Sequence, residues 1–564
     1  MANLLLAPAR ARHVYAVAAL VGLVTFVIVF GPGHLLGTNA YWQMPEQDER
    51  MALMGYRYFL HEGWHWPLFI SDAINVPYPK SVAFLDCIPI WALANKAVAT
   101  IIPRWDSFSS DAYLGLWHGL AYALQAVFGV ACLRALGHRS WRSGLIAIVF
   151  FLALPTWIFR YSHPALSAHW VLLWALVLYL RTPVGVATPR TLSIAKLCQL
   201  ALAALVSPYQ AALSLTVFIP SVLRSKHRRT IAIWLPVGIA CVGLATWFAG
   251  YFAAETLRKQ WGFEEESANL LGWLIPQHSG LVGDAQWIAS ANGTAWQYEG
   301  YAYLGLGLLG LLALFLPRLR ILRGVIRRHP FLFAVVVGSA VFALSNHVYV
   351  GSHEILSFPI PRPLRWFASQ FRSPGRFVWV PTYVLMVFLL HGALTRFTTW
   401  RGFALVALAA LIQLVDATGE WSRVRGMTSG PTVAVLHQDA WRPLVHGHDE
   451  VVILPPYSCV VDDDAVRLDR MSMEIQMLAS EWAIPINGTY SARDMRRCEA
   501  EEAEWPTLAL RPDVLYVLLP PAITVAKRLA AGGAACAVFE FGRVCSTNRL
   551  AIDQAIRAAI LRSR

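Results

Sequence analysis

The chain has 564 residues, 57% of them apolar and only 14% charged, with a mean hydropathy of +0.48 and a formal net charge of +13. A soluble domain carries roughly 25% charged residues, so this composition excludes one and indicates a polytopic membrane protein. At roughly 20 apolar residues per span, the first 400 or so residues hold about ten helices, and the last 140 or so read as a soluble part.

Hydropathy along the chain predicts eleven spans, near 14–31, 113–134, 143–160, 165–181, 191–206, 209–223, 230–250, 301–317, 330–346, 376–395 and 402–418. The first is followed by Gly31-Pro32-Gly33-His34, which lacks a small-x-small cleavage pattern, so it reads as a retained span and not a signal peptide. With a cytoplasmic N-terminus, the inner connections carry Arg10, Arg12, Arg134, Arg139, Arg142, Arg181, Arg190, Lys196, Arg224, Lys226, Arg228 and Arg229. They continue with Arg318, Arg320, Arg323, Arg327, Arg328, Arg396 and Arg401, and hold no Asp or Glu. That is the positive-inside pattern, so the charge of +13 reports topology and no nucleic-acid partner. An odd number of spans sends the C-terminal part to the outer side. Segment 87–102 is apolar enough to cross but would invert every later loop. It therefore reads as a re-entrant or interfacial helix, tied down by Asp86, Lys96 and Pro103-Arg104-Trp105.

This predicts a transmembrane domain over 1–420, with large outer loops at 31–112, 251–300 and 346–375, and an extracytoplasmic α/β domain over 421–564. The inner loops are short and basic, so the working face is external.

In the first outer loop, Glu46-Gln47-Asp48-Glu49-Arg50 opens a segment, 51–60, whose apolar spacing suits a helix at the membrane interface. A carboxylate there is placed to act as general base toward a hydroxyl, with Asp48 the first candidate and Glu49 the second. The alternative is an acidic helix start that offsets the helix dipole. Lys80 downstream is a candidate anion contact or a plain surface lysine. Arg160, Tyr161, Ser162 and His163 form a short outer turn, with Arg160 and His163 as candidate phosphate contacts.

The loop at 251–300 contributes Glu264-Glu265-Glu266, Trp273, His278, Trp287, Trp296 and Glu299. Rings interleaved with polar groups suit a sugar, which offers an apolar face to stack and hydroxyls to bind. Trp273, His278, Trp296 and Glu299 are the candidates for sugar or acceptor binding; the other tryptophans read as an interfacial belt. The loop at 346–375 is basic where the positive-inside bias predicts few cations: Arg362, Arg365, Arg372 and Arg376. Ser373-Pro374 has the order of an N-cap followed by proline at the first helical position, so a span start flanked by Arg372 and Arg376 is a candidate phosphate site. A simple lipid-headgroup anchor is the alternative.

In the C-terminal part, 451–454, 514–519 and 537–541 are β-rich, while 473–482 and 523–531 have helical spacing. It has no Gly-rich phosphate loop. Asp462-Asp463-Asp464 reads as a solvated loop in preference to a calcium site, and a divalent metal is an option that no motif supports. Cys87, Cys132, Cys198 and Cys241 are scattered among apolar segments and read as packing residues. Cys459, Cys498, Cys536 and Cys545 share the exported domain; four cysteines allow three pairings, and Cys536–Cys545 is preferred because two strand-like runs bring them close. Free thiols are the alternative.

Gln297-Tyr-Glu-Gly300-Tyr-Ala-Tyr-Leu-Gly305 and Phe371-Arg-Ser-Pro-Gly-Arg-Phe377, together with the order of loops and spans, resemble a little-characterised bacterial family within the GT-C superfamily of integral membrane glycosyltransferases. The likeness covers about the first 420 residues. It implies a GT-C-like fold in a bacterial inner membrane and transfer of a sugar from a polyprenyl-phosphate carrier to an extracytoplasmic glycan or lipid acceptor. The family's loop carboxylate maps onto Asp48 or Glu49, and its phosphate-binding arginines onto Arg372 or Arg376. Many relatives carry a second acidic residue in a later loop, where this chain has Arg160 and His163, a departure that bears on metal dependence. The implied reaction has Asp48 deprotonating an acceptor hydroxyl, in-line attack on the sugar C1 with inversion, and departure of polyprenyl phosphate stabilised by Arg372 and Arg376. The competing readings are a flippase or transporter of a lipid-linked glycan, and a non-catalytic scaffold of envelope glycan assembly.

Overall fold

Some prolines in apolar runs break the helix, as Pro208 does, while Pro220 and Pro236 stay inside one. Ser207 is the example: a residue before proline is pushed out of the helical region, and it lies extended (φ −167°), ending the helix Arg190–Val206. Its side chain then accepts from the Tyr209 amide, and Pro208 starts the next helix, Pro208–Leu223, at the position where its missing N–H costs nothing. The computed structural model describes residues 9–252, 262–283, 292–315, 319–430, 433–457, 459, 465–493, 498–540 and 542–562; Trp287 and Asp462-Asp463-Asp464 lie outside the described residues.

Each of the eleven expected spans holds helix, but the lengths differ. Arg12–Phe30, Arg104–Ala135, Arg228–Phe248, Pro374–Arg396 and Trp400–Thr428 are long and apolar enough to cross a bilayer. The pair Trp141–Leu152 and Pro155–Ser162, bent by 47° at the Pro155 break, makes a sixth. Trp170–Arg181, Arg190–Val206, Pro208–Leu223, Leu306–Phe315 and Pro330–Ala343 have only 12, 17, 16, 10 and 14 residues. These fall short of the roughly 20 residues that the hydrocarbon layer asks for. The protein is therefore multi-pass, with five or six candidate spans of full length among the described residues, the other expected spans being shorter helices. Segment 87–102 becomes the helix Pro89–Ile101, whose 13 residues rise about 20 Å at 1.5 Å each, too little to cross.

The chain divides into two compact units. The first comprises Met1–Leu36, Gly115–Ala245 and Leu257–Ser429, and holds the bundle of apolar helices. Its interior is pinned by two polar residues of the helix Trp400–Thr428. The Asp416 carboxylate accepts from Ser279, from the Tyr303 hydroxyl (2.9 Å) and from the Leu306 amide (2.9 Å). Gln413 donates to the carbonyls of Ala153 (2.8 Å) and Leu304 (3.0 Å). Both bind the strained turn at Gly305, whose φ of +88° only glycine adopts cheaply.

The second unit comprises Gly37–Leu114, Thr246–Thr256 and Gly430–Arg564. Its sheet has four strands in the order Glu450–Leu454, Val514–Leu518, Gly542–Ser546, Ala535–Phe539; the first pair is parallel and the rest antiparallel. The sequence gives β-rich bounds for three of these and, at Cys545, only a strand-like run without bounds. Gly542–Ser546 has none because Gly-Arg-Val-Cys-Ser is not β-rich, and its pairing with Ala535–Phe539 makes it a strand. Cys536 and Cys545 face each other in that pair and are bridged, and Cys459–Cys498 is the second disulfide. The helix Gln47–His61 of the first outer loop packs on the helix Ala465–Ser480, and the Tyr58 hydroxyl donates to the Ile484 carbonyl at 2.9 Å. Lys96, buried, closes the other end of that helix by donating to the carbonyls of Phe59, Glu62 and Gly63.

Candidate functional site

In the first unit, the two motif stretches cross. A Cβ placed on Gly375 would sit 2.6 Å from the Gly300 Cα, and the Gly375 amide donates to the Glu266 carbonyl at 3.1 Å. Only glycines permit this approach of backbones. The crossing gathers charged side chains that hydropathy alone would keep apart. Glu299, 2% exposed, takes Arg160 Nη1 (2.8 Å) and Arg376 Nε (3.0 Å) on one carboxylate oxygen, while His163 Nε2 lies 3.8 Å from the other. Arg160 adds bonds to the carbonyls of Tyr298 (2.8 Å) and Glu299 (2.6 Å). Beside them, buried Glu266 pairs with Arg372 Nε at 2.9 Å and accepts from the Ser373 hydroxyl. Tyr209 completes the arrangement: its hydroxyl accepts from the Ser373 amide (2.8 Å) and its ring lies 4.5 Å under the Arg376 guanidinium.

Burial alone would raise the Glu299 carboxyl, but Arg376, then Arg160 and His163, overcome it and hold the group well below the ordinary carboxylate range. Burial wins at Glu266, which is pushed up against the pull of Arg372 and Ser373. Among the described residues, three arginines face two glutamates beside the first turn of Pro374–Arg396. Arg372 is the member that reaches solvent, with its side chain 39% exposed, whereas Arg376 is nearly enclosed.

The structure brings Arg160, His163, Glu299, Arg372 and Arg376 together. Trp273 is half-buried and donates to Thr382 Oγ1 at 3.1 Å; Trp296 is partly exposed and packs against Tyr298; His278 is partly exposed. The cavity lined by Asn269, Gln277, Gln297 and Tyr301 in this loop has about 30 Å³, room for a water. Glu266 and Tyr209 had no individual signal in the sequence, the one sitting in an acidic run, the other at a helix start.

Asp48, Glu49 and Lys80 belong to the second unit. Asp48 and Glu49 occupy the first turn of Gln47–His61, where Asp48 is partly exposed and accepts from the Tyr490 hydroxyl at 2.8 Å. Glu49 is fully buried and accepts from the Tyr41 hydroxyl, while its Oε1 has no hydrogen-bond partner among the described residues. Burial, opposed by the Tyr41 bond and reinforced by Asp48 and Glu46, pushes its pKa up to about 8. Lys80 is buried and donates to Ser491 Oγ and to the Arg493 carbonyl (2.6 Å). One short stretch, 490–493, therefore engages both Asp48 and Lys80. Among the described residues, no group of three or more His, Cys, Asp or Glu is arranged to hold a metal ion.

Apolar spans and a disulfide-bonded α/β region define a multi-pass membrane protein. The chain belongs to the family described as Domain of unknown function (DUF6311), which it matches over residues 19–418, with the DUF6311 C-terminal domain at 440–547. No curated protein matches it. Among solved structures it is similar to the archaeal oligosaccharyltransferase AglB from Archaeoglobus fulgidus, determined in complex with an inhibitory peptide and a dolichol-phosphate. The two share 12% identity over 92% of this chain and 70% of that one, at a TM-score of 0.37, and no residue is transferred between them.

Proposed function

We propose that the protein is a membrane glycosyltransferase that moves a sugar from a polyprenyl-phosphate-linked donor to an acceptor outside the cytoplasm. The observation that carries this reading is the cluster of three arginines against two glutamates where the motif stretches cross, with Arg372 open to solvent beside the first turn of Pro374–Arg396. A guanidinium that reaches solvent in that position suits a phosphate, which guanidinium groups hold by charge-assisted bonds. Arg372 meets the leaving phosphate, and Arg160 and Arg376, spent on Glu299, hold the scaffold around it.

Of the two candidate bases, Glu49 is protonated at neutral pH and is closed off from solvent, so it takes no proton from a hydroxyl. Asp48 is the carboxylate with solvent access, oriented by Tyr490. In the proposed step Asp48 accepts the acceptor's hydroxyl proton, the acceptor oxygen bonds to the sugar C1, and the C1–O bond breaks with its electron pair leaving on polyprenyl phosphate. A single displacement inverts C1. The orientation that goes with this is a bacterial inner membrane, an inward N-terminus and an external C-terminal region. It is supported by the arginine-rich inner connections and by two disulfides, which form in oxidising compartments.

The test is the mass of surface glycans in cells lacking the protein, complemented with wild type or with Asp48→Asn at matched expression. Deletion is expected to remove a sugar. Asp48→Asn should fail to restore it, since loss of such a base costs roughly 10²–10⁴ in rate. Full restoration by Asp48→Asn ends the assignment of Asp48 as base.

A further inference from the structure

The helix Gln47–His61 carries Asp48 at one end and, nine residues or about 13 Å along its axis, Arg57 at the other. Arg57 opens onto a second feature that the proposed reaction does not use: a cleft of about 760 Å³ within the second unit. That volume lies in the roughly 300–1,000 Å³ range of small-molecule sites. Its lining is polar throughout except for Pro103.

Arg57 is 5% exposed, yet its hydrogen bonds are poor for so buried a cation. Nη2 reaches Asp111 only at 3.4 Å, Nε reaches Ser110 at 3.2 Å, and Nη1 has the Met477 sulfur at 3.9 Å. A desolvated guanidinium with long bonds faces a cavity, which is where an added acceptor would be held most strongly. Across the lining, Arg442 is paired with Glu481, and His61 stands 3.9 Å from Asp106. Donors and anionic acceptors therefore alternate around the cleft in three adjacent pairs.

This alternation selects among ligand chemistries. A phosphate would meet the carboxylates of Asp106, Asp111, Asp439 and Glu481 together with the two guanidiniums, and an apolar ligand would find no wall. The carboxylates do not converge on a cation site. A vicinal diol fits: each hydroxyl donates to a carboxylate and accepts from the neighbouring guanidinium. We infer that the Arg57–Asp111–Arg442–Glu481 cleft binds a carbohydrate, through hydroxyl pairs and without charge recognition. The inference stands apart from sugar transfer, because a scaffold or flippase of glycan assembly would use the same cleft.

The experiment is binding of the full chain, purified in lipid nanodiscs, to a printed array of neutral, amino and acidic glycans, followed by titration of the best one. Retention of a neutral or amino glycan is expected. Asp111→Asn, at a side chain 64% exposed and safe for folding, should weaken it about tenfold or more, as should Arg442→Gln, the scale of a lost hydrogen bond to a charged group. Arg511→Gln, at an exposed ion pair of the same unit outside the cleft lining, should leave it unchanged. Retention of no glycan, retention of acidic glycans only, or equal binding by Asp111→Asn and wild type overturns the inference.

Discussion

Two buried glutamates, one in each unit, have opposite fates. Glu299 lies between Arg160 and Arg376 and stays ionised; Glu49 lies against Tyr41, with no cation in contact among the described residues, and is neutral at pH 7. Both pay a desolvation penalty, so burial is not what separates them. The difference is the company: two guanidiniums outweigh the penalty, and one hydroxyl does not. Glu299 is thus a fixed charge in the first unit and Glu49 a neutral acid in the second.

Removing Glu299 should do the most damage, since it leaves two enclosed guanidiniums unpaired. Glu299→Ala is expected to cost about 3–5 kcal/mol, read as loss of thermal stability and protease resistance in detergent. An unchanged melting curve would mean that the cluster is not the fixed ionic centre described here.

The disulfides sharpen the contrast by addressing one unit alone. Cys459→Ser opens a loop with a sequence separation of 39 and Cys536→Ser one of 9, so the first should cost more, within about 2–4 kcal/mol. Limited proteolysis that reports cleavage separately in residues 430–564 and 115–245 checks this. Equal sensitivity of the two regions would contradict the division into units.

The most diagnostic effect is the sign of the pH dependence. Because folding raises the Glu49 pKa, its contribution is full below about pH 4.5, the unfolded value, and is lost as pH rises through about 8. Because folding lowers the Glu299 pKa, its contribution is full above about pH 4.5 and is lost as acid takes the pH down through the folded value. Denaturation at pH 5, 7 and 9 should show Glu49→Gln flattening the alkaline decline while leaving the acid limb as it is. A decline that persists in Glu49→Gln would assign it to another group.

Much of this was legible from local patterns. Apolar runs announced the membrane helices, and the clustering of four cysteines the disulfide-bonded region, with Cys536–Cys545 the pair expected. Several expected spans hold helices shorter than a hydropathy window suggests, because it does not register breaks such as those at Pro155 and Pro208. The outward arginines were visible as an anomaly, but their partners were not. Glu299 lies 139 residues from Arg160 and 77 from Arg376, and Glu266 lies 107 from Ser373. No periodicity links residues so far apart.

The choice between Asp48 and Glu49 shows the same limit. Adjacent on one helix turn, they are indistinguishable by spacing, and what separates them is Tyr41 beneath one and Tyr490, 442 residues along the chain, beside the other. The sequence by itself determined membrane class and the residue types available for chemistry, because hydropathy and composition act over a turn or two of helix. Only the tertiary structure decided which carboxylates are ionised, which arginine meets solvent, and that the first outer loop builds one unit with the C-terminal residues. Those outcomes depend on burial and on pairings that exist only once distant segments are packed.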